Sequence, residues 1–175
     1  MTTLSDNILT RRSIRSYEPK AVSSEAIKTM LNAAIWAPSG NNLQPWKFSV
    51  IMENKKLLDK IASLSIYQNW IKTAPCLIAV FLDHASIMTN ITIPKLYIKH
   101  VQAIGAALQN MLLTANDLGL GTCWIGEILK NEEEIKILLN VPAGYELMAV
   151  VSVGYPKIVS KGQRKPLDQA IIDWQ

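Results

Sequence analysis

The sequence has little of what metal or disulfide chemistry requires. Its 175 residues include two cysteines, Cys76 and Cys123, and two histidines, His84 and His100. The cysteines are too far apart for a CxxC motif, two of them do not make a disulfide framework, and the histidines form no HExxH pair. We therefore expect reduced cysteines that serve in packing, ordinary histidines, no metal site and a cytoplasmic location.

Segments that mark membrane, secreted or dinucleotide-binding proteins are also missing. The longest apolar run, Cys76–Leu82, has seven residues, whereas a membrane helix needs ~20. The first ten residues lack the basic and then apolar pattern of a secretion signal. No GxGxxG motif follows a predicted strand. With 49% apolar and 18% charged residues, the composition is typical of one globular domain over residues 1–175.

Arginine is scarce, and its placement is informative. Of the 18 basic residues only four are arginines: Arg11, Arg12, Arg15 and Arg164. A guanidinium binds phosphate or carboxylate through two parallel hydrogen bonds, which a lysine ammonium cannot do. Because three arginines lie near one end of the chain and the fourth near the other, we predict an anion site that draws on both ends.

Hydrophobic periodicity predicts a sheet covered by helices. The predicted helices span 3–11, 25–36, 54–64, 100–118 and 132–139, and the predicted strands span 46–52, 76–82 and 146–153. Strand 76–82 is apolar throughout, as a strand covered on both faces is. We expect Ser24 and Asn131 to cap helices and Gly119 to end one in a left-handed conformation. Residues 84–99 fit neither pattern and are assigned to a short lid or an interface segment.

The segment Arg11–Tyr17 can present several polar groups to one ligand. In an extended stretch alternate side chains share a side, so Arg11, Ser13 and Arg15 would converge on one polyanion. A solvated basic turn explains the same residues. A nucleic-acid patch is a further alternative, although no aromatic side chains are interleaved with the arginines.

The segment Pro38–Pro45 places polar side chains between two rigid prolines. Ser39, Asn41, Asn42 and Gln44 supply them. A carboxamide offers a donor and an acceptor side by side, which matches the edge of a heterocycle such as a flavin pyrimidine. Gly40 lets backbone approach closely. The alternative is a polar turn in which asparagine tolerates left-handed angles.

The segment 119–126 contains three glycines, which favours a loop whose backbone amides meet a flat ligand. A helix end followed by a turn is the alternative. We expect Trp124 to be buried and Cys123 to pack rather than react, since no histidine is placed to activate it. Trp46, at the start of a predicted strand, is expected in the core.

Four motifs together resemble the nitroreductase family of FMN-dependent flavoproteins. They are RRSIRSY at 11–17, APSGNNLQPW at 37–46, GLGTCWIG at 119–126, and GYP at 154–156 with RKPL at 164–167. Their order and spacing are similar to the family's and span nearly the whole chain. The first two motifs are the more specific.

The resemblance implies an α+β fold, with a central mixed β-sheet flanked by helices, that forms an intertwined homodimer with two FMN sites at the subunit interface. The resemblance also implies which residues bind FMN. They are Arg11, Arg12, Ser13, Arg15 and Arg164 for the phosphate and ribityl chain, Pro38, Ser39, Asn42 and, less directly, Asn41 and Gln44 from the other subunit for the isoalloxazine, and Ile125 and Gly126 near flavin N5. Asn110 matches a family asparagine whose role could be structural.

The resemblance also implies an NAD(P)H oxidoreductase that passes hydride through flavin N5 to a small acceptor, a nitroaromatic or a quinone, with no catalytic side chain required. A flavin-binding protein without turnover, a reductive dehalogenase and a flavin-processing enzyme remain alternatives. The sequence departs from the family in two places. The stretch 83–99 leaves little room for a helical lid, and Ala103 stands where relatives often carry an acid.

Overall fold

The computed structural model describes residues 3–87 and 92–174, which form six α-helices and four strands. The helices are α1 (Leu4–Thr10), α2 (Ser24–Ile35), α3 (Lys55–Ser63), α4 (Gln68–Ile71), α5 (Pro94–Asp117) and α6 (Glu132–Leu139). The strands are β1 (Trp46–Ile51), β2 (Cys76–Asp83), β3 (Gly121–Ile125) and β4 (Tyr145–Gly154). Short 3-10 turns occur at Gly40–Asn42, His84–Ile87, Glu127–Asn131 and Leu167–Ala170.

The strands form one sheet in the order β1-β2-β4-β3, and each neighbouring pair is antiparallel. Parallel pairing is limited, within the described residues, to an isolated bridge between Ser13 and Thr122 on the outer side of β3. The fold is therefore α+β, and the expected mixed sheet is antiparallel in its four strands. Edge strand β3 is the element on which the N-terminal segment lies.

Helices cover both faces of the sheet, as the continuous apolar run of β2 predicts. Even-numbered residues of β2 such as Ile78 and Val80 belong to the core beneath α2 and α5. Odd-numbered residues such as Leu77 and Phe81 belong to the core beneath α3 and α6. All eight residues of β2 are buried, because side chains on both faces of a central strand meet packed helices.

Several predicted boundaries are wrong. Residues 121–125 form strand β3, not a loop, because Thr122–Ile125 are bulky β-formers that pair with β4. Helix α5 begins at Pro94 rather than near residue 100, since proline suits the first helical turn. Ser23, not Ser24, caps α2 by accepting a hydrogen bond from the Ala26 amide.

Two predicted side-chain roles also need correction, and two are confirmed. Asn131 occupies the N-cap position of α6, as predicted, but makes no capping hydrogen bond there, and its side-chain amide donates to the Leu64 carbonyl. Trp124 is 43% exposed, because β3 is an edge strand and its ring meets α5 only near Gly105. Gly119 is left-handed with φ 72°, and Trp46 is buried, as expected.

The segment 84–99 is a 3-10 turn followed by the first turns of α5, and residues 88–91 of the expected lid lie outside the described residues. None of the helices in the described ranges is both long enough and apolar enough to cross a membrane.

Candidate functional site

Three of the four arginines meet at one cavity. We name this the guanidinium cavity; it has a volume of about 320 Å³ and is lined by Ile8, Leu9, Arg11, Arg12, Gln109, Gly162 and Arg164. Helix α1 ends at Thr10 and delivers Arg11 and Arg12, while the exposed C-terminal tail, residues 157–174, delivers Arg164. Both ends of the chain therefore line one cavity, and the anion that it was predicted to bind stays a prediction.

Backbone groups hold Arg12 in place. Its Nη1 donates to the carbonyls of Leu9 (2.6 Å) and Arg11 (2.8 Å), which closes the C-terminal end of α1. The tail packs against it at Gly162, where a Cβ atom would lie 2.6 Å from Arg12 Nε. Only glycine permits this approach without moving the guanidinium.

The cavity carries uncompensated positive charge. No ion pair between an arginine and a carboxylate occurs in the part of the chain that the structure describes. The pKa of Arg11 is lowered, first by burial and then by the positive charges of Arg164 and Arg12. Gathering like charges costs free energy, and a bound dianion would offset that cost.

The segment of residues 11–17, which we call the arginine strap, is fixed to the outer edge of the sheet. The Ile14 amide donates to the Thr122 carbonyl over 2.8 Å. Gly121 makes this possible, because a Cβ there would lie 2.6 Å from Ile14 Cγ1. Tyr17 is buried, and its hydroxyl lies 2.7 Å from Ser152 Oγ and 2.9 Å from the Ile14 carbonyl. Burial raises the pKa of this phenol. The strap is thus fixed at its middle by Ile14 and at its C-terminal end by Tyr17.

The remaining polar residues of the strap surround Cys123. Burial raises the pKa of the Cys123 thiol, and Arg15, a hydrogen bond with Ser13, and Arg11 partly oppose this shift. A second cavity of about 270 Å³ contains Arg15 and Cys123 together with Ile125, Gly126, Glu127 and the aromatic residues Tyr67, Trp70 and Trp124. The structure thus brings Arg15 to the residues expected near the flavin ring.

The polar segment between the prolines, the carboxamide loop (residues 38–45), is backbone-strained. Asn41, Asn42 and Gln44 have φ of 56°, 54° and 49°. Non-glycine residues rarely adopt this region, and such clusters occur at binding sites. Ser39 stabilises the turn, since its Oγ accepts a hydrogen bond from the Gln44 amide over 3.0 Å. The three carboxamide residues are exposed.

A third cavity, the loop cavity, lies between this loop and helix α5. It has a volume of about 220 Å³ and is lined by Pro38, Ser39, Gly40, Lys99, Gln102, Ala103 and Ala106. The loop cavity shares no lining residue with the other two cavities. Within one chain, therefore, the carboxamide loop and the arginine strap do not form a common site.

Other candidate residues were missed or serve the fold. Gln109 and Gly162 also line the guanidinium cavity, and the sequence analysis predicted neither. A glycine only two residues before Arg164 could have pointed to Gly162. Lys99 and Gln102 on α5 carried no motif. Asn110 has a structural role, since its Nδ2 donates to the Ala33 carbonyl of α2 over 3.0 Å.

Comparisons with known proteins show which sequences and folds this chain is similar to. Residues 8–68 and 62–155 match the model of the Nitroreductase family. A provisionally named NADH dehydrogenase/NAD(P)H nitroreductase of Archaeoglobus fulgidus is 37% identical over 157 residues, which cover 86% of this chain and 83% of that protein. A protein of the same name from Methanothermobacter thermautotrophicus is 35% identical over 151 residues, covering 85% of this chain and 75% of that one.

A solved structure extends the likeness to three dimensions. The crystal structure of a provisionally named nitroreductase from Desulfovibrio desulfuricans, in complex with FMN, is 36% identical to this chain. It superposes with a TM-score of 0.90, over 100% of this chain and 98% of that one.

Proposed function

The chain belongs to the nitroreductase family, and on that premise we propose that it is an NAD(P)H-dependent oxidoreductase that binds FMN at two equivalent sites of a homodimer. The observation that carries the proposal is the guanidinium cavity. Three guanidiniums from the two ends of the chain meet there without a carboxylate among the described residues.

The chemistry of the cavity fits the phosphate of FMN. That group carries roughly two negative charges near neutral pH and offers three acceptor oxygens. Arg11, Arg12 and Arg164 supply planar donors of opposite charge, and charge-assisted hydrogen bonds of this kind are the strong ones. Ser13, beside Cys123, adds a hydroxyl for the ribityl chain.

A second copy of the chain would complete the ring site. In one chain the carboxamide loop is separate from the strap, so Pro38, Ser39 and Asn42 of one protomer would serve the isoalloxazine held by the other. Large exposed apolar side chains support an interface. They are Leu4, Leu9, Trp36, Leu167, Ile172 and Trp174, each at least 69% exposed.

The chemistry that FMN supplies when bound is acceptance of a hydride at N5 from NAD(P)H and return of the electrons to a second substrate, which makes the cycle ping-pong. Over one cycle NAD(P)H and a solvent proton reduce an acceptor by two electrons and two protons. Arg15, in the cavity of Ile125 and Gly126, provides positive charge beside the ring site, where it stabilises negative charge on the ligand. Tyr67 and Trp70, whose ring centroids are 6.3 Å apart, form an aromatic side of this cavity.

The acceptor is a small flat molecule, and the class that we propose is a nitroaromatic or a quinone. A flat ring of this kind can stack on the flavin after NAD(P)+ has left, so that it takes up the electrons at the position that the nicotinamide occupied.

The direct test is to purify the protein, record its absorbance spectrum and add NADH or NADPH. We expect a yellow dimer whose flavin absorbance is bleached by the nucleotide and returns when a quinone or nitroarene is added. A colourless protein that also fails to take up added FMN contradicts the proposal. A yellow protein whose flavin NAD(P)H does not bleach would indicate a flavin-binding protein without turnover.

A further inference from the structure

Lys99 lies directly against the carboxamide loop. A Cβ atom on Gly40 would be 3.1 Å from both Cδ and Cε of Lys99, so the aliphatic part of the lysine crosses the loop at its glycine. The side chain is half-buried and lines the loop cavity. A lysine in this arrangement packs its stem on apolar surface and leaves its ammonium group at the cavity.

Among the described residues, no carboxylate forms an ion pair with this ammonium group. The residues lining the loop cavity include no acid, and Lys99 has no ion pair in the ranges 3–87 and 92–174. Helix α5 carries a second lysine, Lys95, one turn earlier, and its single acidic residue is Asp117 at the far end. At 1.5 Å per residue that carboxylate is roughly 27 Å away along the axis, too far to compensate the charge.

The rest of the cavity suits a flat ring. Ala103 and Ala106 give a small apolar floor, and Ser39 and Gln102 add hydrogen-bond donors at the rim. A cation and two polar groups around an apolar floor match an aromatic ring that carries one carboxylate. Neutral rings would leave the ammonium group unpaired, which lowers their relative affinity.

We propose that Lys99, assisted by Gln102, selects aromatic acceptors that bear a carboxylate by binding that carboxylate over Gly40. The inference rests on the proposed function, because the acceptor is reduced at the same site. It assigns Lys99 as a specificity residue: the lysine contacts the acceptor and takes no part in electron transfer.

The test compares two acceptors that differ in charge, 4-nitrobenzoate and 4-nitrobenzyl alcohol, with NADH as donor and the FMN-loaded dimer as enzyme. In Lys99→Gln the ratio of kcat/KM for the acid over the alcohol should fall about tenfold, the loss expected for one charge-assisted hydrogen bond at a partly exposed site. Lys99→Arg should retain most of the ratio. The matched control is Lys95→Gln, an exposed lysine of the same helix, which should leave the ratio unchanged.

A binding measurement without turnover supports the same conclusion. Benzoate should perturb the flavin spectrum of the oxidised wild-type protein, and its Kd should rise about tenfold in Lys99→Gln but not in Lys95→Gln. Equal effects on the acid and the alcohol, or an unchanged benzoate Kd, overturn the proposal. So does a changed preference between NADPH and NADH with the acceptor ratio intact, because the lysine would then serve the nucleotide phosphate.

The two proposals fail in different ways. If the purified protein takes up no FMN, the proposed function is wrong. If wild type and Lys99→Gln both bind FMN and oxidise NADH but do not differ in acid preference or benzoate binding, only the assignment of Lys99 is wrong.

Discussion

The guanidinium cavity and the carboxamide loop carry different kinds of free-energy cost. In the cavity the backbone is ordinary and the cost is electrostatic, since like charges gather and the pKa of Arg11 is lowered by burial and by its neighbours. In the loop the charge is absent and the cost is conformational, with three non-glycine residues at positive φ. Among the described residues no carboxylate pairs with the arginines, and the Ser39–Gln44 hydrogen bond offsets only part of the loop's cost. Both regions are therefore prepared for a ligand, the first for its charge and the second for its shape.

The largest predicted effect removes one charge from the cavity. Arg164→Gln should weaken FMN binding by about 2 kcal/mol, or roughly thirtyfold, because a charge-assisted contact to phosphate is lost. The free energy of unfolding of the apoprotein should not fall, since Arg164 is exposed and, among the residues that the structure describes, hydrogen-bonds only to the Gln163 carbonyl. Isothermal titration and urea unfolding measure the two quantities. Lys161→Gln, on the same exposed tail, is the control. If Arg164→Gln makes the apoprotein less stable, the guanidiniums do not repel one another at a net cost in the empty cavity.

Alkaline pH should loosen the strap through Tyr17. Burial raises the pKa of this phenol above its ordinary value of 10.0, so above that pH the unfolded chain loses the proton first. The apoprotein should therefore lose up to about 1.4 kcal/mol of stability per pH unit from about pH 10 upward. Urea unfolding of Tyr17→Phe should show a smaller alkaline slope than wild type, whereas the exposed Tyr67→Phe should not. Equal alkaline slopes in wild type and Tyr17→Phe would contradict the claim that the buried Tyr17 hydroxyl fixes the strap.

The substitution Gly162→Ala tests whether the position of the Arg12 guanidinium matters, because it moves that group and leaves every charge in place. In Gly162→Ala the new Cβ would lie 2.6 Å from Arg12 Nε, so the guanidinium must move while all charges remain. FMN affinity should fall severalfold, and the apoprotein should lose about 1 kcal/mol of stability, because the half-buried Arg12 must give up hydrogen bonds to the Leu9 and Arg11 carbonyls. Gly144→Ala, where nothing lies within 4 Å of the new Cβ, is the control. An unchanged FMN Kd in Gly162→Ala would mean that the position of Arg12 is unimportant.

The smallest effect concerns the loop. Gln44→Gly relieves a positive φ and should stabilise the apoprotein by about 0.5–1 kcal/mol, while FMN binding weakens through loss of a carboxamide. Leu43→Gly is the matched control, because Leu43 has φ −73° and packs on the core; it should destabilise. If Gln44→Gly also lowers the melting temperature, the loop is not strained in the way its dihedral angles indicate.

The parts of the fold that sequence predicts well are those with strong periodicity. The apolar run of β2 and the amphipathic pattern of α2 and α3 mark their elements within a few residues. Strand β3 was missed because it has only five residues beside two glycines, and because its pairing with β4 is a long-range contact. The start of α5 was missed because Pro94 reads as a break although the first helical turn accepts it.

For the candidate site, the scarcity of arginine is more informative than the spacing of residues along the chain. Four arginines in a lysine-rich chain indicate an anion site, and the structure brings three of them to one cavity. The positive φ of Gln44 could not be foreseen, since glutamine has no preference for that region. The contact between Lys99 and Gly40 could not be foreseen either, because the two residues are 59 positions apart in the sequence and meet only through the packing of α5.

One measurement tests the central claim that the guanidiniums gather for a phosphate: titration of the apoprotein with FMN and with riboflavin, which lacks only that group. We predict that wild type binds FMN far more tightly than riboflavin, and that Arg12→Ala and Arg164→Gln bring the two affinities close together by weakening FMN alone. Equal affinity for the two flavins in wild type, or a ratio that neither variant changes, would contradict the account.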